Sequence, residues 1–216
     1  MIELKLKQRI EYRPATVVAP SGRTERTSRH DVRVTGGEAR GVPLRSPRAP
    51  GVRPTTDLVR TALFNILAAR GIEGAVVADL YAGTGSLGIE ALSRGAAQAD
   101  FVEADRRQMD VIRANVRATN VADRATLVHA KVEQALEGLR RRYDLVLMDP
   151  PYTQPFPAGV VARAAELGLL ADDAVVVVGH ASRVEAPPVC GRLVRDQDRR
   201  YGDSSLAFYS VHESDG

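Results

Sequence analysis

Apolar residues along the chain fall into two alternating kinds of segment. Short continuous apolar runs, typical of parallel strands buried on both faces, are followed by segments whose apolar residues recur every three or four positions. The short runs predict strands at 76–79, 99–103, 125–129, 143–148 and 174–178. The periodic segments predict helices at 87–94, 106–119, 132–141 and 157–169. This alternation predicts an α/β fold, in which right-handed crossovers connect a mostly parallel sheet.

The two ends of the chain depart from this alternation. Near the C-terminus, 191–196 and 206–211 predict an antiparallel pair that closes the sheet edge, with a connecting turn at 199–203. Near the N-terminus, apolar and polar residues alternate at 31–35, and a glycine pair allows the chain to return at 39–44. This pattern predicts a β-hairpin.

A proline- and glycine-rich loop separates the hairpin from a further helix. Thr55 or Thr56 can cap that helix, and Gly71 ends it. Residues 1–30 have no sustained period and predict a flexible basic extension, with a short strand near 16–18. We therefore divide the chain into this extension, a hairpin and loop at 31–54, and a main α/β domain at 55–216.

Positive charge is concentrated at the front of the chain. Residues 1–60 hold 13 Lys and Arg against 6 Asp and Glu, whereas the remaining residues hold 17 against 21. A basic front favours a nucleic-acid partner over a merely solvated tail, because phosphates attract Lys and Arg without regard to base sequence. The candidate RNA-binding residues are Arg33, Arg40 and Arg45 on the hairpin, and Arg53 in the loop after it.

The composition excludes several other classes of protein. No apolar run approaches the roughly 20 residues of a membrane span, and the N-terminus lacks the apolar core of a signal peptide. We therefore expect a cytoplasmic protein. The single cysteine, Cys190, follows two prolines late in the chain and is interpreted as a core residue, and the four histidines lack metal-ligand spacing. The sequence thus predicts no metal site.

A glycine-rich turn follows the first strand of the main domain. Gly83, Gly85 and Gly88 form a G-x-G-x-x-G pattern, which lets the backbone come close to a nucleotide-like ligand and by itself selects no chemistry. Asp79, which precedes the glycines, repels a pyrophosphate but can bind the ammonium group of a methionine. Glu103 ends the next strand, where an acid can accept the hydroxyl protons of a ribose. The pattern therefore favours S-adenosylmethionine over a nicotinamide dinucleotide.

Asp149-Pro150-Pro151-Tyr152 follows the fourth strand and is the most specific chemical signal in the sequence. The prolines hold an extended turn and remove two N–H donors, so that the Asp149 carboxylate and the Pro150 carbonyl remain as acceptors. An exocyclic amine needs such acceptors to become nucleophilic, and Tyr152 offers a flat face for a flipped base. We predict methyl transfer from S-adenosylmethionine to an exocyclic amine.

Four motifs together resemble the RsmD family, the bacterial 16S ribosomal RNA guanine-N2 methyltransferases. The motifs are Val34-Thr35-Gly36-Gly37 with the segment up to Leu44, Arg53-Pro54-Thr55-Thr56-Asp57 with Leu63-Phe64-Asn65, Tyr81 to Ala96, and Asp149-Pro150-Pro151-Tyr152. The resemblance covers residues 32–212. It implies a Rossmann-like class I methyltransferase fold with a seven-stranded sheet, S-adenosylmethionine as donor, and 16S ribosomal RNA in a partly or fully assembled 30S particle as partner of a monomeric enzyme.

The same resemblance implies roles for single residues. The cofactor-binding residues are Asp79, Tyr81, Ala82, Gly83, Thr84, Gly85, Ser86, Glu103, Val132 and Asp149. The catalytic residues at the target base are Asp149, Pro150 and Tyr152. The chain departs from the family at Lys131-Val132, where the family commonly has Asn or Asp before a small residue, which leaves the Val132 amide to contact adenine.

Two rival functions remain open from the sequence. The four-residue motif after the fourth strand serves any exocyclic amine, so an adenine-N6 DNA methyltransferase is the nearest alternative. A non-catalytic RNA-binding or ribosome assembly factor could keep the same sheet without the reaction. Binding of S-adenosylmethionine discriminates the second rival, and the identity of the methylated nucleic acid discriminates the first.

Overall fold

A twisted β-sheet with helices on both faces forms the protein in the computed structural model, which describes residues 13–14, 32–46 and 57–211. The strands are β1 (Arg13–Pro14), β2 (Val32–Arg33), β3 (Pro43–Leu44), β4 (Val76–Leu80), β5 (Gln98–Glu103), β6 (Ala125–His129), β7 (Tyr143–Met148), β8 (Leu170–Ala181), β9 (Val189–Cys190), β10 (Leu193–Tyr201) and β11 (Ser204–Val211). The helices are α1 (Asp57–Ala68), α2 (Ser86–Ser93), α3 (Arg106–Ala118), α4 (Val132–Gly138) and α5 (Ala158–Glu166), with a 3₁₀ turn at Ala122–Arg124.

The strand order of the main sheet is β1-β6-β5-β4-β7-β8-β11-β10-β9 within the described ranges. Strands β6, β5, β4, β7 and β8 are parallel, and β11 and β10 follow as an antiparallel pair. The two-residue strands β1 and β9 add short bridges at the two edges. The seven longer strands confirm the predicted α/β fold with a mostly parallel sheet and a C-terminal antiparallel pair.

Helices cover both faces of the sheet. Because both faces are buried, successive residues of the central strands are apolar, and not only every second residue. Val77 and Leu147 point to one face, where they pack with α1, α2 and α3. Ala78 and Met148 point to the other face, where they pack with α4 and α5. Because parallel strands end at one edge of the sheet, the residues that follow β4, β5 and β7 lie side by side.

The N-terminal hairpin is present but shorter than predicted, since its paired strands are β2 and β3, of two residues each. Residues 34–42 form a wide turn, although the sequence predicted extended backbone at 34–35 and 39–42. Its tip presses against α2: Glu38 donates its backbone N–H to the Ser93 carbonyl at 2.8 Å, and a Cβ added to Gly37 would come within 1.7 Å of that oxygen. Packing against α2 therefore prevents the predicted strand at 39–44.

A buried ionic cluster fixes the hairpin to the body. The Glu90 carboxylate on α2 accepts the Thr35 backbone N–H at 2.8 Å and its hydroxyl at 2.7 Å. Arg94 Nε lies 2.8 Å from Glu90, and the fully buried Arg60 on α1 lies 3.4 Å from it. A buried carboxylate between two guanidinium groups joins the hairpin, α1 and α2, and removal of one partner would leave a charge buried without compensation.

The remaining differences concern the lengths of elements. β8 is longer than the predicted 174–178, because it begins where Leu170 pairs with Tyr143 of β7 and ends where Ala181 pairs with Ser204 of β11. The helices at 132–138 and 158–166 end earlier than predicted. The predicted strand at 16–18 and the capping residues Thr55 and Thr56 lie outside the described residues. None of the helices in the described ranges is long and apolar enough to cross a membrane.

Candidate active site

Asp79 lies at the centre of the carboxyl edge of the sheet, next to the last residue of β4. Its side chain is buried, and its Oδ2 accepts the backbone N–H of Gly88 at 2.8 Å. Burial raises the pKa of Asp79 well above its ordinary value, and the negative charges of Asp149 and Glu103 act in the same direction against the Gly88 hydrogen bond. In the described part of the chain, no Lys or Arg forms an ion pair with Asp79 or Glu103. This edge can therefore accept a cationic ligand.

The glycine turn is held by backbone geometry. Tyr81 and Gly83 have positive φ values of 62° and 54°, and Ala82 donates its N–H to the Val102 carbonyl on β5 at 2.9 Å. A non-glycine residue with positive φ at a strand end is the kind of strain that clusters at ligand sites. The backbone therefore leaves the end of β4 in a fixed direction and stays bonded to the neighbouring strand β5.

Gly88 has a packing role beyond the ligand approach that the pattern suggests. A Cβ at this position would come within 2.4 Å of the Phe101 ring and 3.1 Å of Asp79 Oδ2. Gly85 has a φ of 76°, and its Cβ would come within 3.2 Å of Ile112 on α3. These two glycines therefore allow α2 and α3 to approach the sheet closely behind the turn.

Glu103 connects the glycine turn to the start of α3. Its Oε2 accepts the Gly83 N–H at 2.8 Å, and its Oε1 accepts the Asp105 N–H at 2.8 Å. Each carboxylate oxygen keeps further acceptor capacity, because an ionised carboxylate has about four lone-pair sites. Glu103 is thus held in one orientation and can still accept hydroxyl protons from a ligand.

Val132 and Tyr81 border the same edge near α4. The Val132 side chain is buried, and its backbone N–H belongs to the first helical turn, whose donors have no partner inside the helix. The Tyr81 hydroxyl lies 3.5 Å from Glu133 Oε1. Burial, with Glu133 as the next cause, raises the pKa of Tyr81 to about 12. Tyr81 therefore stays neutral and can act as a donor.

Asn115 on α3 is a supporting residue that the sequence did not reveal. Its Nδ2 donates to the Thr84 carbonyl of the glycine turn at 2.9 Å and to the Arg45 carbonyl at 3.0 Å, while its Oδ1 accepts the Arg45 N–H at 2.8 Å. One buried amide therefore joins the turn to the end of the hairpin. The sequence contained no signal for this role, since the partners are 31 and 70 positions away.

A small, mainly apolar cavity, with room for about one water molecule, adjoins Asp149. Its lining residues are Val59, Leu63, Leu87, Leu147, Met148, Asp149, Tyr152, Val177, Gly179 and Leu206. Asp149 and Tyr152 both line this cavity, and Pro150, between them in the chain, is buried. Apolar walls beside one carboxylate match the chemistry of a flat heterocycle that carries an N–H group, and the cavity must widen to admit one.

Gly179 at the end of β8 is the second residue that sequence reasoning missed. A Cβ at this position would come within 2.7 Å of Asp149 Oδ1, too close for any side chain. The absence of a side chain therefore leaves space for the Asp149 carboxylate. A glycine inside the apolar run of β8 was the available signal, because such a glycine commonly marks a close approach.

The loop after Tyr152 is anchored by aromatic contacts on the opposite face of the sheet. The Phe156 ring lies 5.5 Å from the His180 ring in an edge-to-face arrangement and 6.0 Å from the Tyr209 ring. Cys190 is buried nearby in the core, where burial raises the pKa of its thiol. In the described ranges, no group of three or more His, Cys, Asp or Glu is arranged to hold a metal ion.

None of the described hairpin arginines lines the cavity beside Asp149. Arg33, Arg40 and Arg45 are exposed, as the sequence predicts, and Arg33 donates to the Gly41 carbonyl within the hairpin at 3.0 Å. The Asn115 contact places Arg45 next to the glycine turn. Arg53 lies outside the described residues.

Most of the chain matches a known protein family. Residues 32–210 match the family model described as Conserved hypothetical protein 95. The chain belongs to this family. The match confirms the resemblance to the RsmD family, since Ribosomal RNA small subunit methyltransferase D of Escherichia coli (strain K12) is 38% identical over 178 residues. The aligned region covers 82% of this chain and 89% of that protein.

Solved structures of other proteins share the fold. A hypothetical protein of Thermus thermophilus is 31% identical with a TM-score of 0.71, over 83% of this RsmD-family chain and 99% of that chain. SMU.776, described as a methyltransferase complexed with SAH, is 14% identical with a TM-score of 0.64, over 79% of this chain and 54% of that chain. The first is a relative of similar size, and the second shows the fold alone.

Proposed function

We propose that this RsmD-family protein transfers a methyl group from S-adenosylmethionine to the exocyclic N2 amine of a guanine in 16S ribosomal RNA. The observation that carries the proposal is the position of Asp149, which lies beside a small apolar cavity and within electrostatic reach of Asp79 at the glycine turn. The name of the Escherichia coli relative supports ribosomal RNA of the small subunit as the substrate.

The residues on the cofactor side fit S-adenosylmethionine. The donor, when bound, supplies a methyl group on a positively charged sulfur, and it carries an ammonium group at its methionine end. Asp79 is a buried carboxylate with a raised pKa, and a cationic ligand would relieve the repulsion that Asp149 and Glu103 exert on it. The oriented Glu103 can accept hydrogen bonds from the ribose hydroxyls, and the first-turn amide of Val132, which has no partner inside its helix, can contact the adenine. The backbone from Ala82 to Ser86 can surround the methionine end.

The residues on the acceptor side orient and activate the amine. The Asp149 carboxylate and the Pro150 carbonyl accept hydrogen bonds from the two N–H groups of the amine. These hydrogen bonds direct the nitrogen lone pair towards the methyl group. Tyr152 stacks on the base, and the apolar walls of the cavity exclude water. The new N–C bond would form as the sulfur–methyl bond of the donor breaks, which leaves a neutral thioether, and the Asp149 carboxylate can then take the proton that the amine releases. Most of the rate comes from positioning and from charge placed in advance.

The decisive experiment compares nucleic acids under one set of conditions. The purified protein is incubated with methyl-labelled S-adenosylmethionine and with 30S particles, protein-free 16S RNA or duplex DNA, and the modified base is then mapped. We expect label in the small-subunit RNA, as N2-methylguanine. Label in DNA adenine would establish the rival DNA activity. Failure to bind S-adenosylmethionine by calorimetry would support a non-catalytic assembly factor.

A further inference from the structure

A turn between the last two long strands reaches the same edge of the sheet as the candidate active site. β8 ends at this edge, and β11 begins opposite it, with Ser204 paired to Ala181. The turn at Gly202, which joins β10 to β11, therefore lies at the carboxyl edge of the parallel strands. A backbone bond from the Ser182 N–H to the Asp203 carbonyl, at 2.9 Å, ties this turn to the loop after β8.

The strand register connects Asp149 to Arg199 in a single row across the sheet. Met148 pairs with Val178, so Asp149 and Gly179 are the neighbouring next residues; Gly179 pairs with Leu206, and Leu206 pairs with Arg199. Adjacent strands are about 4.8 Å apart, which places the Arg199 backbone roughly 14 Å from that of Asp149. Each nucleotide of a stacked duplex strand advances about 3.4 Å along the helix axis, and its phosphates are spaced more widely than that, so this separation corresponds to only a few nucleotides.

Arg199 and Arg200 face opposite sides of this row. Arg199 is the cross-strand partner of Leu206, which lines the cavity, and directly paired residues share one face of a sheet. Arg200 pairs with Ser205 and points to the other face. Both arginines are exposed, and together they bracket the sheet edge beside the acceptor cavity.

The two guanidinium groups are available to an anionic partner. Within the described ranges, neither Arg199 nor Arg200 forms an ion pair with a carboxylate. Their Nε atoms donate locally, to Gln197 Oε1 at 2.9 Å and to the Gly202 carbonyl at 3.0 Å, which orients the side chains and leaves the terminal nitrogens as donors. Residues 199–203 carry one net positive charge, because Asp203 offsets one of the two arginines. Guanidinium forks match phosphate oxygens in geometry.

We propose that Arg199 and Arg200 bind backbone phosphates of the RNA strand on one side of the target guanine, a few nucleotides from the base in the Asp149 cavity. This inference rests on the proposed function for the identity of the reacting base. It adds a second phosphate-binding surface, separate from the hairpin arginines, and it places that surface where it can hold the strand while the base is turned into the cavity.

The variants that test this surface are Arg199→Gln, Arg200→Gln and the double variant, with Arg192→Gln as the control. Arg192 is also exposed and lies next to β10, but in the turn before that strand, at the opposite edge of the sheet. It therefore matches the change in charge without the proximity to the cavity. Unchanged thermal unfolding and an unchanged Kd for S-adenosylmethionine establish that each variant is folded.

The main measurement is the Kd of each variant for protein-free 16S RNA fragments over a series of salt concentrations. We expect each of the two substitutions to lower the slope of log K against log salt by about 0.7, and the control to leave it unchanged. In turnover with RNA or 30S particles, KM should rise about 5- to 10-fold for each substitution, with kcat unchanged. A slope equal to that of the Arg192→Gln control overturns the inference.

Two further outcomes separate this inference from its rivals. If the substitutions weaken turnover only on 30S particles, with RNA affinity intact, the arginines contact a ribosomal protein and the inference is wrong. If the unsubstituted protein methylates no guanine, the proposed function fails, while the salt slopes still report whether Arg199 and Arg200 contact RNA. The two failures are therefore distinguishable.

Discussion

The cofactor half and the acceptor half of the candidate site are built differently. In the cofactor half, at the ends of β4 and β5, the carboxylates are held by backbone N–H groups: Asp79 by Gly88, and Glu103 by Gly83 and Asp105. In the acceptor half, at the ends of β7 and β8, Asp149 lies in space that Gly179 leaves open, against apolar walls. Backbone hydrogen bonds orient the carboxylates of the cofactor half, and the missing side chain of Gly179 makes room for the carboxylate of the acceptor half.

This difference predicts that the two halves control different quantities. Backbone-held carboxylates in the cofactor half should set the affinity for S-adenosylmethionine and, through charge, the stability of the ligand-free protein. The cavity in the acceptor half should set the rate of methyl transfer, because its function is to position one nitrogen. Substitutions in the cofactor half should therefore change the Kd for S-adenosylmethionine, and substitutions in the acceptor half should change kcat.

Asp149→Asn should have the largest effect, on rate alone. The substitution keeps the shape of the side chain but removes the negative charge, and its amide nitrogen cannot accept an N–H from the substrate. We expect kcat to fall by about 100- to 1000-fold, the loss typical when one well-placed electrostatic partner is removed. Calorimetry should give a Kd for S-adenosylmethionine close to that of the unsubstituted protein. Asp144→Asn, at the other end of β7, is the control, and near-normal turnover in Asp149→Asn would reject the assigned role.

Gly179→Ala should have the next largest effect, again on rate. Its Cβ would come within 2.7 Å of Asp149 Oδ1, so that the carboxylate must move by several tenths of an ångström or more. Displacements near 1 Å can cost about 100-fold, and we expect kcat to fall by about 10- to 100-fold with cofactor affinity retained. The matched control is Gly159→Ala on α5, where a Cβ would meet no atom within 4 Å. Equal kcat values for the two variants would contradict this role.

Glu103→Gln should affect affinity instead of rate. A glutamine oxygen can keep one of the two backbone N–H bonds, but its NH₂ group opposes the other donor, Gly83 or Asp105. We expect the Kd for S-adenosylmethionine to rise about 10-fold, equivalent to about 1.4 kcal/mol, with kcat at saturating cofactor unchanged. Glu166→Gln on the surface of α5 is the control. A fall in kcat without a change in Kd would show that Glu103 controls the rate, as residues of the acceptor half do, and would contradict this prediction.

Most of the fold was predictable because its signals are local. Strand β7 matches its predicted bounds at 143–148, and β6 matches at 125–129, since short apolar runs bounded by turn residues define such strands. The strand ends then locate Asp79, Glu103 and Asp149 at one edge of the sheet, because parallel strands share their direction. A pattern within about fifteen residues was sufficient for each of these predictions.

The residues that the sequence did not reveal act over long distances in the chain. Asn115 joins Arg45 to Thr84, and Gly179 acts on Asp149, so each role depends on a partner in another element. The wide turn of the hairpin was likewise set by contact with Ser93 on α2. Periodicity reports which side of an element is buried but not which residue it meets, and these contacts therefore required the structure.

Asp79→Asn should have the smallest effect, a change in thermal stability that depends on whether the ligand is bound. The folded-state pKa of Asp79 is raised above its ordinary 3.8, so the folded protein binds this proton more tightly than the unfolded chain does. Stability of the ligand-free protein is therefore lost as pH rises above about 4. Asparagine can keep the Gly88 hydrogen bond without the charge, and at pH 7 Tm should rise by about 2–4 °C, the shift that ~1 kcal/mol produces in a domain of this size. With S-adenosylmethionine present, the variant should gain less Tm than the unsubstituted protein, because the bound cation loses its partner. Thermal unfolding between pH 4 and 8, with and without cofactor, measures both effects; parallel curves for the two proteins would show that Asp79 carries no uncompensated charge.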